Sequence, residues 1–396
     1  MSASQDPIVI VGAARTPMGA FQGDFSDLAA HDLGGAAIQA AVARAGVAPE
    51  KVDEVLFGNC LMAGQGQAPA RQAGFKGGLP RSTGAVTLSK MCGAGMEATI
   101  LAHDQLVAGS RDVMVAGGME SMTNAPYLLK KGRGGYRMGH DKVFDHMMLD
   151  GLEDAYEAGR SMGTFGEDCA AKYQFTREQQ DAFAMASVQR AQDAINSGAF
   201  KAEITPVTFS TRKGEVTVAQ DEGPLKIRLD KIPTLKPAFK KDGTITAAAS
   251  SSINDGAAAL VLMRQSTALE LGCNPLARIV AHATHAQEPE WFTTAPVGAT
   301  EKALKKAGWK VEDVDLWEIN EAFAVVPMAL MADLKVPHDK VNVNGGACAL
   351  GHPIGASGAR ILVTLLHTLQ ARGKKKGLAT LCIGGGEATA MAIELV

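Results

Sequence analysis

The feature that most constrains this chain is that its two ends repeat each other. Ala40-Ala41-Val42-Ala43-Arg44-Ala45-Gly46 leads through Val52-Asp53-Glu54-Val55 to Asn59; Lys302-Ala303-Leu304-Lys305-Lys306-Ala307-Gly308 leads through Asp313-Val314-Asp315-Leu316 to Asn320, one residue shorter. A second pair follows. Gly93-Ala94-Gly95 opens a helical pattern carrying His103, then an apolar strand, then Gly117-Gly118-Met119-Glu120; Gly355-Ala356-Ser357-Gly358 opens one carrying His367, then a strand, then Gly384-Gly385-Gly386-Glu387. Any two αβ units look alike at low detail, so unrelated units of one type are the alternative to a duplicated half-domain. Duplication restricts the fold to two similar packed halves.

The periodicity agrees. It predicts strands at Ile8–Val11, Asp53–Gly58 and Val113–Ala116, with helices at Asp32–Ala45 and Met96–Ala108. The carboxyl third predicts strands at Arg278–Ala281, Asp315–Ile319, Leu378–Ile383 and Ala390–Leu395, and helices at Val297–Ala307, Glu321–Leu334 and Ala356–Arg372. This is an α/β chain, expected to have mostly parallel strands. Aromatics are only 5% of residues, so Ala, Val, Ile, Leu and 17 Met must fill the core. Between the halves the pattern degrades: a glycine-rich loop from Lys130 to Arg137, an amphipathic helix from Thr176 to Ala199 capped by Thr176 and Gln179, and a charged stretch from Arg212 to Asp230. The expected division is 1–118 plus 250–271 as one half, 119–249 as an inserted loop domain, and 272–396 as the other half.

Charge excludes some functions. Lys and Arg total 39 against 42 Asp and Glu, a net −3, so nucleic-acid and anionic-membrane partners are not expected. Six cysteines without a CxxC pair, no membrane-length apolar run and no basic, apolar leader predict a reduced, cytoplasmic protein. His282 and His285 share an i, i+3 spacing without a third ligand nearby in sequence, so no metal site is expected.

Four segments carry candidate chemistry. Ser89-Lys90-Met91-Cys92-Gly93-Ala94-Gly95 puts a cysteine at a helix entrance, where unpaired N–H groups favour thiolate, although any free cysteine also reads as a small buried hydrophobe. The glycine-rich run from Asn342 to Gly358 carries His352, either a general base or a structural histidine. By the repeat, His352 falls two residues before the counterpart of Cys92, so related loops meeting at a pseudo-twofold would join thiol and imidazole. Leu381-Cys382-Ile383-Gly384-Gly385-Gly386-Glu387 ends a strand in glycines whose N–H groups suit an oxyanion, or simply make a tight turn. In Glu318-Ile319-Asn320-Glu321-Ala322-Phe323, Asn320 either orients a water or carbonyl or caps the following helix. Cys60, Cys169, Cys273 and Cys348 read as packing residues, Cys348 being nearest to His352 in sequence.

These segments, in this order, resemble the thiolases (acetyl-CoA acetyltransferases and 3-ketoacyl-CoA thiolases) along essentially the whole chain. The resemblance implies a duplicated αβαβα five-layer core, an inserted loop domain that binds coenzyme A, and a homotetramer or dimer. It implies Cys92 as the acyl-accepting nucleophile, His352 as its base, and Cys382 as the acid/base at the α-carbon of acetyl-CoA. One oxyanion pocket would come from His352 and a water held by Asn320, the other from the N–H groups of Cys92 and Gly384. Ser251, Met162, Phe239 and Phe323 resemble residues lining the pantetheine tunnel, with coenzyme A a substrate and no cofactor required. Lys226, Arg228 and the cations between Lys130 and Arg137 are candidates for its phosphates. Ser161, Ala249 and Phe292 depart from the family's usual His, Asn and Met, and no arginine near Pro224 matches the one expected by the adenine; these leave acyl preference open. A non-catalytic acyl-CoA-binding scaffold and a decarboxylating ketoacyl synthase are the competing readings.

Overall fold

The computed structural model describes residues 6–212 and 214–396, so the reading of the amino-terminal leader, and of the first half from residue 1, falls at residues 1–5 outside the described residues. The amino half supplies strands β1 (Ile8–Arg15), β2 (Glu54–Gly58), β3 (Gly84–Leu88), β4 (Val113–Ser121) and β5 (Asn254–Arg264), with helices α1 (Ala30–Ala45), α2 (Pro69–Lys76) and α3 (Ala94–Val107). Between β4 and β5 lie α4 (Met162–Tyr173) and α5 (Arg177–Ser197). The carboxyl half supplies strands β6 (Ala277–Ala286), β7 (Leu316–Ile319), β8 (Lys376–Ile383) and β9 (Glu387–Leu395), with helices α6 (Ala295–Ala307), α7 (Val325–Leu334) and α8 (Ser357–Ala371).

The strand order is β7-β8-β9-β6-β1-β5-β4-β2-β3, with the two-residue strand Gly19–Ala20 beside β5. The halves show the same plan: β3-β2-β4-β5-β1 on one side, β7-β8-β9-β6 on the other, with Val341 bridged to Trp317 where the fifth strand would lie. Only Val9 and Ile10 of β1 pair with β6 to join them.

The expectation of mostly parallel strands is wrong. Among the strands given above, β2·β3, β2·β4 and β7·β8 are parallel, whereas β1·β5, β4·β5, β1·β6, β6·β9 and β8·β9 are antiparallel. The misleading signal was the alternation of strand and helix patterns: β8 and β9 follow each other through Gly384-Gly385-Gly386 with no helix between them and so pair antiparallel. Alternation places Val9, Val11, Val113 and Val115 under α1 and α2, while Ile8, Ile10, Met114 and Ala116 meet α3 and α8 on the other face. A third cluster lies between α6, α7 and the second sheet region, so helices and sheets stack in five layers.

The central helices touch through the glycines the repeat aligned. A Cβ on Gly95 would lie 2.9 Å from the Ala359 nitrogen, and one on Gly358 would lie 2.4 Å from that of Met96. That contact brings the mouths of α3 and α8 together. In the insertion, Thr176 and Gln179 form the expected capping box on α5, and α4 packs on α7 through Phe165, Cys169, Ala170 and Ala324. Among the described residues no helix is long and apolar enough to cross a membrane.

Candidate active site

Cys92 stands two residues before α3 on a strained turn. Met91, just before it, has φ +45°, and the N–H groups of Gly93 and Ala94 bond back to Lys90 and Met91. Gly93 leaves room for Ile383, which a Cβ there would meet at 2.3 Å. Burial pushes the Cys92 thiol up to about 11; the N–H groups of Gly384 and Cys92 itself, aimed at the sulfur, oppose this rise, and the buried Glu120 carboxylate adds to it. The backbone N–H groups act toward thiolate, and burial outweighs them.

His352 lies buried on the loop feeding α8. Its Nδ1 is 2.5 Å from Ser357 Oγ, which in turn donates to the Pro353 carbonyl at 2.9 Å. This network assigns the proton to Nδ1, so Nε2 keeps its lone pair, and Nε2 has no hydrogen-bond partner among the described residues. Burial, with a contribution from the Arg360 charge, lowers the imidazole to about 3, so it rests neutral. Cys382, at the end of β8, is buried too; desolvation and the nearby Cys92 raise its thiol well above the ordinary range.

Asn320 follows β7 directly, but the helix predicted to begin at Glu321 begins at Val325. It is not a cap. Its backbone N–H bonds to the Thr380 carbonyl, while both side-chain polar atoms are buried with no hydrogen-bond partner among the described residues. An amide in that state is completed by a water or ligand. Glu321 has a holding role that sequence reasoning missed: its carboxylate accepts from Ser187 Oγ (2.7 Å), Asn342 Nδ2 (2.7 Å) and the Cys348 N–H (2.9 Å). Cys348 itself is buried in the cluster with Phe165, Phe183 and Val325. Glu120, also missed, accepts from the Gly355, Cys60 and Leu61 N–H groups and from Asn59, tying the two central loops together. These partners lie tens to hundreds of positions apart, so no local signal marks them; the Gly-Met-Glu end of β4 was the one available hint.

Cys92, His352, Cys382 and Gly384 line one small cavity of about 60 Å³, closed by Phe292, Met162, Leu152 and Phe323. A larger cavity of about 290 Å³ opens from it, sharing Met162, Ser251, Phe323 and His352 and adding Phe239 and Ser161. All four tunnel residues read from the sequence are therefore on its wall. Phe239 and Phe323 meet edge-to-face at 5.7 Å, and a Cβ on Gly163 would strike the Phe239 ring at 2.2 Å. Ser251 is fixed by its N–H to the Ala322 carbonyl. The candidate phosphate cations are less distinctive: Lys226 pairs with Glu222 (2.7 Å), Arg228 with Asp230 (2.8 Å) and Lys131 with Asp141 (2.8 Å). His282 and His285 do not act together; His285 Nε2 lies 3.1 Å from Gln287 Oε1, and His282 turns to His103 and Asp104.

Residues 8–266 match the family model described as Thiolase, N-terminal domain, and residues 273–395 that described as Thiolase, C-terminal domain. An acetyl-CoA acetyltransferase of Chromobacterium violaceum is 51% identical, covering 98% of this chain and 99% of its own length. A probable acetyl-CoA acyltransferase of Staphylococcus aureus is 47% identical, covering 98% of each. Among solved structures, the Bacillus anthracis acetyl-CoA acetyltransferase superposes with TM-score 0.96 at 42% identity, over 99% of both chains. The Acat5 thiolase from Ascaris suum, solved in complex with coenzyme A, gives TM-score 0.93 at 40% identity, over 98% of this chain and 100% of its own.

Proposed function

The chain belongs to the thiolase family, and from that premise we propose that it is an acetyl-CoA C-acyltransferase: it condenses acetyl-CoA with an acyl-CoA and, in reverse, cleaves a short or medium 3-ketoacyl-CoA with coenzyme A. The observation that carries this is one buried cavity lined by two thiols, an imidazole and glycine N–H groups, reached through an apolar tunnel.

In the first half-reaction, Cys92 Sγ attacks the thioester carbonyl as its proton passes to His352 Nε2. With a thiol near 11 and an imidazole near 3, the proton moves with the attack rather than before it. The adduct collapses to acyl-Cys92, and the coenzyme A thiolate leaves with that proton. In the second, Cys382 passes its thiol proton to the now neutral His352 and, as thiolate, takes the α-proton of acetyl-CoA; the enolate attacks acyl-Cys92. Cleavage of the Cys92 bond then releases the 3-ketoacyl product, and the Cys92 thiolate takes back the proton held on His352, leaving both thiols and the imidazole as they began. The N–H groups of Cys92 and Gly384 face the acyl oxyanion; Asn320, through a water, and His352 serve the enolate oxygen. Preorganised donors of this kind each contribute a few kcal/mol at the transition state.

Coenzyme A is a substrate in this reading, not a cofactor. The insertion at 119–249 contacts its arm through Met162 and Phe239 and supports a homotetramer or dimer through the exposed Tyr127, Leu129 and Met138. The location read from cysteine usage is cytoplasmic.

The test is coenzyme A-dependent cleavage of acetoacetyl-CoA. Parallel double-reciprocal lines and loss of turnover in Cys92→Ala are expected. Binding without turnover would favour the scaffold reading, and malonyl-dependent CO2 release the ketoacyl synthase.

A further inference from the structure

The geometry points to a divalent transition-metal site made by His103, Asp104 and His282, outside the acyl-transfer cavity and across the junction of the two halves. His103 and Asp104 lie on α3, eleven and twelve residues beyond Cys92, and His282 lies on β6. Three atoms converge: His103 Nδ1 and Asp104 Oδ1 at 2.9 Å, His282 Nε2 and the same oxygen at 3.0 Å, and the two ring nitrogens at 3.2 Å. Donors about 2.1 Å from one metal lie about 3.0 Å apart at right-angle coordination and about 3.4 Å apart at tetrahedral. The observed triangle fits that face, with the metal above its plane on the open side.

Among the described residues this is the one group of three potential ligands so arranged. The imidazoles are mostly buried, at 18% and 15% side-chain exposure, and stand edge-to-face with centroids 4.8 Å apart. Their surroundings hold the rings in place, while Asp104, 56% exposed, leaves water access to the remaining positions. Lys306, whose Nζ bonds the His282 carbonyl, is the nearby cation, and Glu97 is the carboxylate on the same helix that interacts with Asp104. Two imidazoles and one carboxylate select Zn2+, Co2+ or Ni2+ over Mg2+ or Ca2+. Bound metal would clamp α3, the helix that follows Cys92, to the other half.

Chelator-stripped full-length protein is titrated with Co2+ in the visible range and with Zn2+ by calorimetry. One equivalent per chain is expected, with Co2+ bands of nitrogen–oxygen type and no thiolate charge-transfer band, and Zn2+ raises Tm in a concentration-dependent way. His282→Gln and, independently, the exposed Asp104→Asn weaken Zn2+ binding at least about tenfold, whereas His285→Gln leaves it unchanged. Absence of binding, a sulfur band placing the metal at cysteine, or full binding by Asp104→Asn overturns the site and leaves only a hydrogen-bonded cluster. None of these outcomes bears on acyl transfer, because none of the three residues lines the catalytic cavity.

Discussion

Asn59 and Asn320 occupy the same place in the repeat, each just beyond the strand next to its half's glycine-ended strand, yet they live in opposite states. Asn59 is saturated: its Nδ2 donates to Glu120 Oε1 at 2.6 Å and its Oδ1 accepts from Gln65 Nε2 at 3.0 Å. Asn320 has an equally buried amide whose two polar atoms have no hydrogen-bond partner among the described residues. A duplicated scaffold thus uses one copy of the residue to lock a loop and leaves the other free for a water or substrate. The same division separates the helix mouths, where the glycines Gly95 and Gly358 are retained for packing while Cys92 and His352 differ in chemistry.

Substitutions can break this comparison. Cys92→Ala should abolish turnover, with kcat down by about 10³-fold or more, since no covalent intermediate can form. Replacing His352 with Ala should cost about 10²–10⁴-fold by removing the base. The paired asparagines should then diverge. Asn320→Ala lowers kcat about 10²–10³-fold with Tm unchanged or raised, because it deletes a donor and also an unsatisfied buried amide. Asn59→Ala instead lowers stability by about 1–3 kcal/mol, leaving Gln65 and Glu120 short of a partner, with a smaller kinetic effect. Equal kinetic loss in both variants would erase the distinction.

Smaller effects sharpen the account of the imidazole. Ser357→Ala removes the acceptor that fixes the His352 tautomer and should lower kcat about tenfold with little change in KM, with Ser357→Thr restoring much of it. In the free enzyme, alkylation of Cys92 by iodoacetamide should accelerate about tenfold per pH unit from neutrality toward the thiol's raised pKa, since the thiolate grows as pH rises. A rate flat with pH would indicate a preformed thiolate–imidazolium pair instead.

Much of the plan was legible before the structure. The repeat revealed the halves, and its register anticipated that the loops of Cys92 and His352 meet at the helix mouths. Strand direction was not legible, because Val113–Ala116 and Ile8–Val11 are apolar on both faces whichever way their neighbours run. The role of Asn320 was undecided because a residue between strand and helix looks like a cap; only the later start of α7 and the orphaned amide separate the readings. Ser357, Glu120 and Glu321 were missed because their function lies in tertiary partners. His282 was matched with His285 by spacing, while the fold matches it with a helix from the other half.

The most direct test of the shared thiol–imidazole cavity is mass spectrometry of the protein quenched after mixing with acetyl-CoA alone. The account predicts one acetyl group on the peptide carrying Cys92, removed when free coenzyme A is added. An unmodified Cys92, or an acetyl group on Cys382 or Cys348 in its place, would contradict it.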